Sequence, residues 1–403
     1  MIDEVRAHLI NNIIPFWKNL RDNEFGGYYG YMDYSLNLDK RADKGCILNS
    51  RILWFFSNAY TVLIKERDRG NMKDYPDFDY QSLLDEAHHA YEFLINHCLD
   101  KEHGGVYWSV KYNGEVSESL KHTYNQAFAI YALSSYYDAT KDYNALNIAF
   151  DLFDIVEMKC RDNNGYLEAM NERFLPIEND KLSENGVMAD RTMNTLLHVL
   201  EAYTELYRVS VCRMVKKRLF WIMDIFADKI YNPAKHRQEV FFDNNYNSII
   251  DLHSYGHDIE TAWLMDRTVD VVGEYRYKKM ITPITKDLTK EIYNVAFDGS
   301  SLNYECDKGV INDHRVWWVQ AETVVGFLNG YQRDTSKQEY LKAAEDEWNF
   351  IKDKVIDKRP GSEWISEVSP DGTPYEEKPI LEPWKCPYHN GRMCFEILTR
   401  GIA

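Results

Sequence analysis

Apolar residues recur every three or four positions along most of this 403-residue chain, which is the periodicity of amphipathic helices. Polar and charged residues fill the intervening positions, so each segment has one face that can be buried. The periodicity predicts twelve helices, over residues 2–20, 50–65, 81–98, 123–140, 143–158, 191–209, 211–230, 258–272, 281–297, 318–335, 338–356 and 389–400.

Short stretches rich in glycine and aromatic residues interrupt the helical pattern after every second helix. Five of them contain glycine, at residues 26–30, 104–108, 165–168, 299–304 and 361–365, and a sixth, residues 239–243, does not. Such stretches are typical of tight turns that open small β-hairpins. They recur about every 60–75 residues, which is the length of a helix pair plus a hairpin and indicates a repeated supersecondary unit.

Six helix pairs joined by hairpins predict an all-α fold, an (α/α)6 barrel of twelve helices with short β-hairpins at one end. Six inner helices would run one way and six outer helices would run back. We expect one catalytic domain over residues 1–403, because no Pro/Gly/Ser-rich linker or shift in composition divides the chain. The charged segment 65–80 is expected to be a solvated insertion.

If the even-numbered helices form the inner ring, their first turns all open at one end of the barrel. Each of these helices carries polar or aromatic residues in or near its first turn, namely Arg51, Tyr124, Asn194, His198, His257, Glu260, Trp263, Trp317, Trp318, Glu322, Trp384 and His389. Random placement would scatter such residues over both ends. The pattern therefore predicts a functional site at this end.

His257 and His389 lie where two of these helices begin. The positive end of a helix disfavours an imidazolium, so both rings are expected to be neutral at pH 7 and able to accept a proton. Arg51 keeps its charge and can stabilise an oxyanion. Bases, a cation and flat aromatic surfaces together favour proton abstraction next to a carbonyl, on a sugar held by stacking.

Each candidate also has a structural interpretation. His253 and His257 have the spacing of a zinc pair, but no HExxH motif accompanies them and His253 precedes the helix, so no metal is expected. His198 fits a hydrogen-bonded core histidine, Arg51 a surface residue near a cap, and the Trp317–Trp318 pair core packing. The chain has no phosphate loop, nucleophile motif or dinucleotide fingerprint, and we expect no cofactor.

The composition of the chain argues against several classes of binding partner. The formal net charge of −17 argues against nucleic acid and anionic membranes, which bind basic surfaces. Seven cysteines without a CxxC pattern are typical of reduced thiols in the cytoplasm. No secretory signal and no apolar stretch of about 18 residues is evident. We therefore expect a cytoplasmic protein, monomeric, with a small-molecule substrate and no membrane contact.

Six motifs resemble those of the cellobiose 2-epimerases, which belong to the N-acylglucosamine 2-epimerase superfamily. They are Asn49-Ser-Arg-Ile-Leu-Trp-Phe-Phe-Ser-Asn-Ala, Lys121-His-Thr-Tyr-Asn, Thr192-Met-Asn-Thr-Leu-Leu-His, His253-Ser-Tyr-Gly-His-Asp-Ile-Glu, Arg315-Val-Trp-Trp-Val-Gln-Ala-Glu and Trp384-Lys-Cys-Pro-Tyr-His-Asn-Gly-Arg-Met. The likeness runs from residue 2 to the C-terminus. Segment 65–80 departs from it, because it is longer than the family's usual connection.

The resemblance implies an (α/α)6 barrel and a cofactor-free inversion at C2 of the reducing-end glucose in β-1,4-linked disaccharides such as cellobiose and lactose. It implies that His257 and His389 are the acid/base pair, that His198 assists and that Arg51 stabilises charge. It further implies that the sugar is held or polarised by Tyr124, Asn194, Glu260, Trp263, Trp318, Glu322 and Trp384.

This chemistry requires that the pyranose open, that one histidine remove the C2 proton, and that the resulting cis-enediol(ate) be reprotonated on its opposite face. Three alternatives remain. One is an aldose–ketose isomerase of the mannose type from the same superfamily. A more remote one is a glycoside hydrolase that would use Glu260 and Glu322. The third is a non-catalytic binding module, and the products formed from cellobiose separate all of these.

Overall fold

The structure, a computed structural model, describes residues 1–178 and 186–402. Twelve helices lie in this part of the chain: α1 (2–18), α2 (Cys46–Asp68), α3 (81–98), α4 (Thr123–Thr140), α5 (Tyr143–Lys159), α6 (Met193–Ser210), α7 (213–230), α8 (Tyr255–Val272), α9 (Tyr275–Val295), α10 (Trp317–Arg333), α11 (338–355) and α12 (Tyr388–Arg400). Four of them, α1, α3, α7 and α11, include a π-helical turn. Every predicted helix is present.

The starts of α2, α8 and α9 were predicted too late, and the largest difference is at α9, which begins at Tyr275 instead of residue 281. Helix α2 begins at Cys46 instead of residue 50, and α8 begins at Tyr255 instead of residue 258. In the first turns of α2 and α8 nearly all residues are buried, polar ones included, so these turns lack the alternation of buried and exposed positions by which an amphipathic helix is recognised. At its other end α2 continues through Asp68, so only residues 69–80 of the predicted insertion form turns.

Seventeen short strands lie in the described residues, all between an odd-numbered helix and the even-numbered helix that follows, as the hairpin prediction required. β1 to β17 are Tyr31–Met32, Leu38–Asp39, Lys44–Gly45, Ser109–Val110, Val116–Glu118, Lys121–His122, Ala169–Met170, Pro176–Ile177, Arg191–Thr192, Tyr231–Asn232, Arg237–Gln238, Phe241–Phe242, Leu252–Ser254, Glu305–Asp307, Val310–Asn312, Arg315–Val316 and Glu367–Val368. The pairing is antiparallel; β13, for example, aligns His253 with Cys306 of β14.

The chain divides into two compact units. Unit 1 comprises residues 1–156, 357–364 and 376–402, and within it α2 packs against α3, α4 and α12. Unit 2 comprises residues 157–356 and 365–375, and within it α8 packs against α6, α9 and α10. A single catalytic domain over residues 1–403 stays a prediction.

The even-numbered and the odd-numbered helices differ in how much of their surface is buried, as expected for the inner and outer helices of a barrel. In α4 every residue from 123 to 136 is buried, and α6 is buried almost as completely. Helix α5 instead buries one face, at spacings of three and four residues, formed by Ala145, Leu146, Ala149, Leu152, Phe153 and Val156. No helix among the described residues has both the length and the apolar character that a membrane crossing requires.

An ion pair with a buried basic residue recurs at the hairpins, and the side chain of its acid is buried in two of the four pairs and 41% and 39% exposed in the other two. A basic residue two positions before an even-numbered helix bonds an acid in the turn that follows the preceding odd-numbered helix, at 2.5 to 2.9 Å. The pairs are Lys44–Asp22, Lys121–Asp100, Arg191–Asp162 and Arg315–Asp298. Before α8 the same position is held by His253, which bonds Asp258 at 2.8 Å. His253 therefore occupies the position of these basic residues, but its acid lies in the helix itself.

Candidate active site

Arg51 is the centre of the candidate site in unit 1. It lies one turn inside α2 and is 2% exposed. Its Nη2 donates to the Tyr124 hydroxyl at 2.9 Å, and its Nη1 lies 3.4 Å from the Trp384 carbonyl oxygen and 3.7 Å from Cys386 Sγ. The beginnings of α2 and α4 and the loop before α12 therefore meet around one guanidinium.

The charge of Arg51 is surrounded by aromatic rings. Its guanidinium carbon lies 4.1 Å from the ring centre of Phe128 and 4.8 Å from that of Tyr388. No carboxylate in residues 1–178 and 186–402 forms an ion pair with it. Burial alone would lower the pKa of Arg51, but the neighbouring Tyr124 and Cys386 raise it, so the group stays charged. A buried cation with this surrounding can stabilise an anionic ligand oxygen.

His389 is the second residue of α12 and is 6% exposed. Its Nδ1 lies 3.5 Å from Nη2 of Arg392. Because a guanidinium can only donate, this contact favours the neutral tautomer with the proton on Nε2. The ring also packs against Tyr388, with 4.6 Å between ring centres.

Trp384 lies in the loop before α12 and is half-buried, as expected for a residue outside the core. Its ring centre is 5.7 Å from that of Tyr124 and 5.8 Å from that of Trp108. Trp108 in turn lies 4.6 Å from the ring of His122. Two half-buried tryptophans beside a charged guanidinium form a surface suited to the C–H face of a sugar.

His257 is the centre of the candidate site in unit 2. It is the third residue of α8, and its ring lies 4.7 Å from that of Trp318. Burial lowers the pKa of His257 to about 4; Glu260 opposes this shift and the nearby His198 adds to it. The expected neutral state is therefore found, but burial causes it more than the helix end.

His198 is a buried histidine of α6 close to His257. It is 3% exposed in α6, and its Nδ1 lies 2.9 Å from a carboxylate oxygen of Glu201. It is thus a hydrogen-bonded buried histidine, and it also lies near enough to His257 to lower the pKa of that ring. Asn194, one turn earlier, is half-buried, and its Oδ1 has no hydrogen-bond partner in the described chain. That oxygen can therefore accept from a ligand.

Two buried glutamates are further candidates in unit 2. Glu260 is 0% exposed and lies one turn along α8 from His257. Glu322 of α10 accepts a hydrogen bond of 2.9 Å from the indole Nε1 of Trp263. Trp263 is itself 0% exposed, so it orients Glu322 and offers no open face for stacking. Trp318, which is half-buried, is the more accessible ring.

His253 and His257, which were considered as a pair of zinc ligands, form hydrogen bonds with different partners. His253 Nε2 bonds Asp258 Oδ2, and the other oxygen of Asp258 accepts from Gln238 Nε2 at 2.9 Å. His257 Nδ1 instead lies 2.7 Å from Ser254 Oγ. Both rings are thereby engaged in ordinary hydrogen bonds. The absence of a metal requirement stays a prediction.

Comparison with known proteins identifies the chain's relatives. The family model described as N-acylglucosamine 2-epimerase (GlcNAc 2-epimerase) matches residues 26–390. A cellobiose 2-epimerase of Ruminococcus albus is 49% identical over 402 residues, covering 100% of this chain and 99% of the relative. The chain belongs to the N-acylglucosamine 2-epimerase family. It is a carbohydrate epimerase and hence an isomerase, so the resemblance read from the motifs is confirmed.

Solved structures of this family match the whole fold. A sugar epimerase from a ruminal bacterium is 49% identical with a TM-score of 0.94, covering 100% of both chains. A cellobiose 2-epimerase from Bacillus thermoamylovorans is 42% identical with a TM-score of 0.91, covering 99% of each. The predicted fold class, an all-α (α/α)6 barrel with short hairpins, is confirmed.

Three residues near the epimerase candidates were not found from the sequence. Trp108 lies in a glycine–aromatic stretch that was interpreted only as a turn. Glu201 lies one helical turn after His198, a spacing that indicates a pair on one face. Ser254 immediately precedes α8, where a serine ordinarily predicts a cap. The sequence context of each residue indicated a possible role, but a purely structural interpretation explained that context equally well.

Proposed function

We propose that this protein reversibly epimerises the reducing-end glucose of cellobiose, and of lactose, to mannose at C2. The observation that carries the proposal is the full-length likeness to cellobiose 2-epimerases at 49% identity. The chemistry of the candidate residues supports it, since His257 is held neutral and Arg51 is held charged in buried surroundings. A base and an oxyanion stabiliser are the two groups that enolisation needs.

The proposed reaction begins with opening of the pyranose, which exposes the C1 aldehyde and makes the C2 proton acidic. One histidine takes this proton, and the C2–H electron pair forms the C1=C2 bond of a cis-enediol(ate). Arg51 stabilises the charge on O1. The second histidine protonates C2 from the opposite face. We assign these two roles to His257 and His389, on different helices, and a supporting electrostatic role to His198.

We assign the remaining candidates to binding. Trp384 and Trp318 are half-buried rings suited to stacking on sugar faces. The unpartnered Oδ1 of Asn194 can accept from a sugar hydroxyl. Contacts through polar groups are assigned to Tyr124, Glu260 and Glu322, and Trp263 takes part by holding Glu322.

We further infer a cytoplasmic, monomeric enzyme that needs no cofactor or metal, with all of residues 1–403 acting as one catalytic domain. The acidic charge and the cysteine pattern support the location. The reaction itself supports independence from cofactors, since it moves only protons. Activity should survive exhaustive EDTA treatment; a dead preparation that zinc revives would overturn this inference. Light scattering during gel filtration tests the monomer, for which the mass is 47.6 kDa.

Incubation with cellobiose tests the proposed function. The expected product is glucosyl-mannose, in equilibrium with cellobiose. Glucosyl-fructose would identify an aldose–ketose isomerase, and free glucose would identify a glycoside hydrolase. Unchanged cellobiose at high enzyme concentration would exclude all three activities on this substrate.

A further inference from the structure

Ser254 occupies the N-cap position of α8 but does not cap the helix. A serine at this position ordinarily accepts a hydrogen bond from a backbone N–H of the first turn. No such side-chain bond is formed here. The matching residue of α6, Thr192, does cap its helix, because its Oγ1 accepts from the N–H of Thr195 at 3.0 Å. Ser254 Oγ is directed instead to His257 Nδ1, at 2.7 Å.

Neighbouring elements hold both Ser254 and the imidazole of His257 in place. Ser254 is 6% exposed and lies in β13, which pairs with Glu305 of β14. The ring of Trp318 lies 4.7 Å from that of His257. Gly256 makes this approach possible, because a Cβ there would come within 2.6 Å of Trp318 Cη2. The imidazole therefore has one nitrogen engaged by a hydroxyl, and an indole packs against it at a tilt of 49°.

We propose that Ser254 is a positioning residue that holds His257 as the Nδ1–H tautomer, so that Nε2 presents its lone pair to the substrate. The inference rests on the proposed acid/base function of His257. When Nε2 takes the C2 proton, the electron pair of the C2–H bond moves into the enediolate and the ring becomes an imidazolium. The bond from Nδ1–H to Ser254 Oγ is then charge-assisted and stronger than before. The serine hydroxyl keeps its own proton throughout.

A bond that strengthens as the proton moves stabilises the transition state more than the bound substrate, so its loss should lower kcat and leave KM nearly unchanged. Ser254→Ala should lower kcat roughly 10-fold or more, as expected for a hydrogen bond to a charged group, with little change in melting temperature. Ser254→Thr keeps the hydroxyl and should restore most of the rate.

Thr192→Ala is the matched control, because it removes a hydroxyl that does cap a helix. It should lower the melting temperature and leave kcat near the wild-type value. If Ser254→Ala behaves like Thr192→Ala, Ser254 is an ordinary structural residue and the proposal is wrong. An equal loss of rate in Ser254→Ala and Ser254→Thr would also overturn it.

Nitrogen-15 spectra of histidine-labelled protein test the tautomer without substrate. His257 can be assigned by comparison with His257→Asn, and the wild-type ring should show a protonated Nδ1 and an unprotonated Nε2 at pH 7. In Ser254→Ala the two tautomers should mix. A wild-type ring protonated on Nε2 overturns the proposal. Failure to convert cellobiose would instead refute the proposed function and would leave this spectrum unchanged.

Discussion

His257 and Arg51 show how burial can hold one basic side chain neutral and keep another charged. Removal of water lowers the pKa of the His257 imidazole to about 4. The guanidinium starts from a far higher pKa and is surrounded by electron-rich rings, so it remains a cation. An enolising enzyme needs a neutral base and a permanent positive charge. Burial thus leaves His257 neutral and Arg51 positively charged.

Replacement of His257 tests its proposed role. His257→Asn should lower kcat by about 10²- to 10⁴-fold, the contribution typical of a general acid or base. Its circular dichroism spectrum and melting temperature should stay close to those of the wild type. His88→Gln, at an exposed position, is the control and should retain full activity. Near-normal turnover of His257→Asn would rule out this histidine as the acid or base.

Two histidines whose pKa is lowered should also make the stability depend on pH. Burial lowers the pKa of both His257 and His8 from 6.5 to about 4. Between these values the unfolded chain binds protons at these two histidines that the folded protein does not, so their contribution to the free energy of unfolding should fall as the pH falls from 6.5 to 4. Glu168, whose pKa burial raises to about 7, contributes with the opposite sign. Urea titrations across this range measure the effect. His8→Gln should show a smaller decrease, and an identical decrease would contradict the assignment.

Two tryptophans of unit 1 should respond to truncation in opposite ways. Trp384 is half-buried in a loop, and its replacement by Ala should cost about 1–3 kcal/mol of substrate binding with little loss of stability. Trp54 is 3% exposed and packs against Tyr131, Tyr388 and Phe395. Trp54→Ala should cost about 3–5 kcal/mol of stability. The melting temperature and the kinetics with cellobiose should be measured for both variants. If Trp384→Ala had a lowered melting temperature and normal substrate binding, Trp384 would not contact the sugar.

At the scale of elements, the hairpin before α4 carries a buried ion pair that anchors the start of this inner helix. Lys121 is 0% exposed, and its Nζ bonds Asp100 at 2.9 Å and the Gly104 carbonyl oxygen at 3.0 Å. A lysine without its acid partner in such a place is strongly unfavourable. The strand, the preceding turn and the next helix are thereby held as one unit.

Neutralising the acid of this pair should therefore be costly. Asp100→Asn should lower the free energy of unfolding by about 3–5 kcal/mol, the range for breaking a buried pair. Glu115→Gln, which breaks the exposed pair with Lys111, is the control and should leave stability unchanged. Urea denaturation measures both variants. Equal stabilities would mean that the hairpin pair does not anchor the helix.

Much of this element pattern could be predicted from the sequence, because amphipathic outer helices alternate with buried inner ones and glycine marks the turns between them. The early starts of α2 and α8 could not, since their first turns are buried on every side. The sequence placed His257 and Arg51 at helix starts. The bond partners of His253 and Ser254 depend on strand pairing and side-chain rotamers, which periodicity does not encode.

At the scale of the whole molecule, helix pair and hairpin recur along the chain, and most candidate side chains lie in the first two turns of the even-numbered helices. The net charge of −17 repels polyanions and has little effect on a neutral disaccharide. We therefore expect conversion of cellobiose to depend weakly on ionic strength.

Proton exchange during the reaction in D2O tests proton transfer at C2 most directly. A histidine that has taken the C2 proton can exchange it with solvent before it or its partner returns one. Cellobiose incubated with the protein in D2O should therefore give glucosyl-mannose that carries deuterium at C2 of the mannose, as nuclear magnetic resonance can detect. Glucosyl-mannose with no deuterium at C2 after many turnovers would contradict proton transfer through solvent-exchanging histidines.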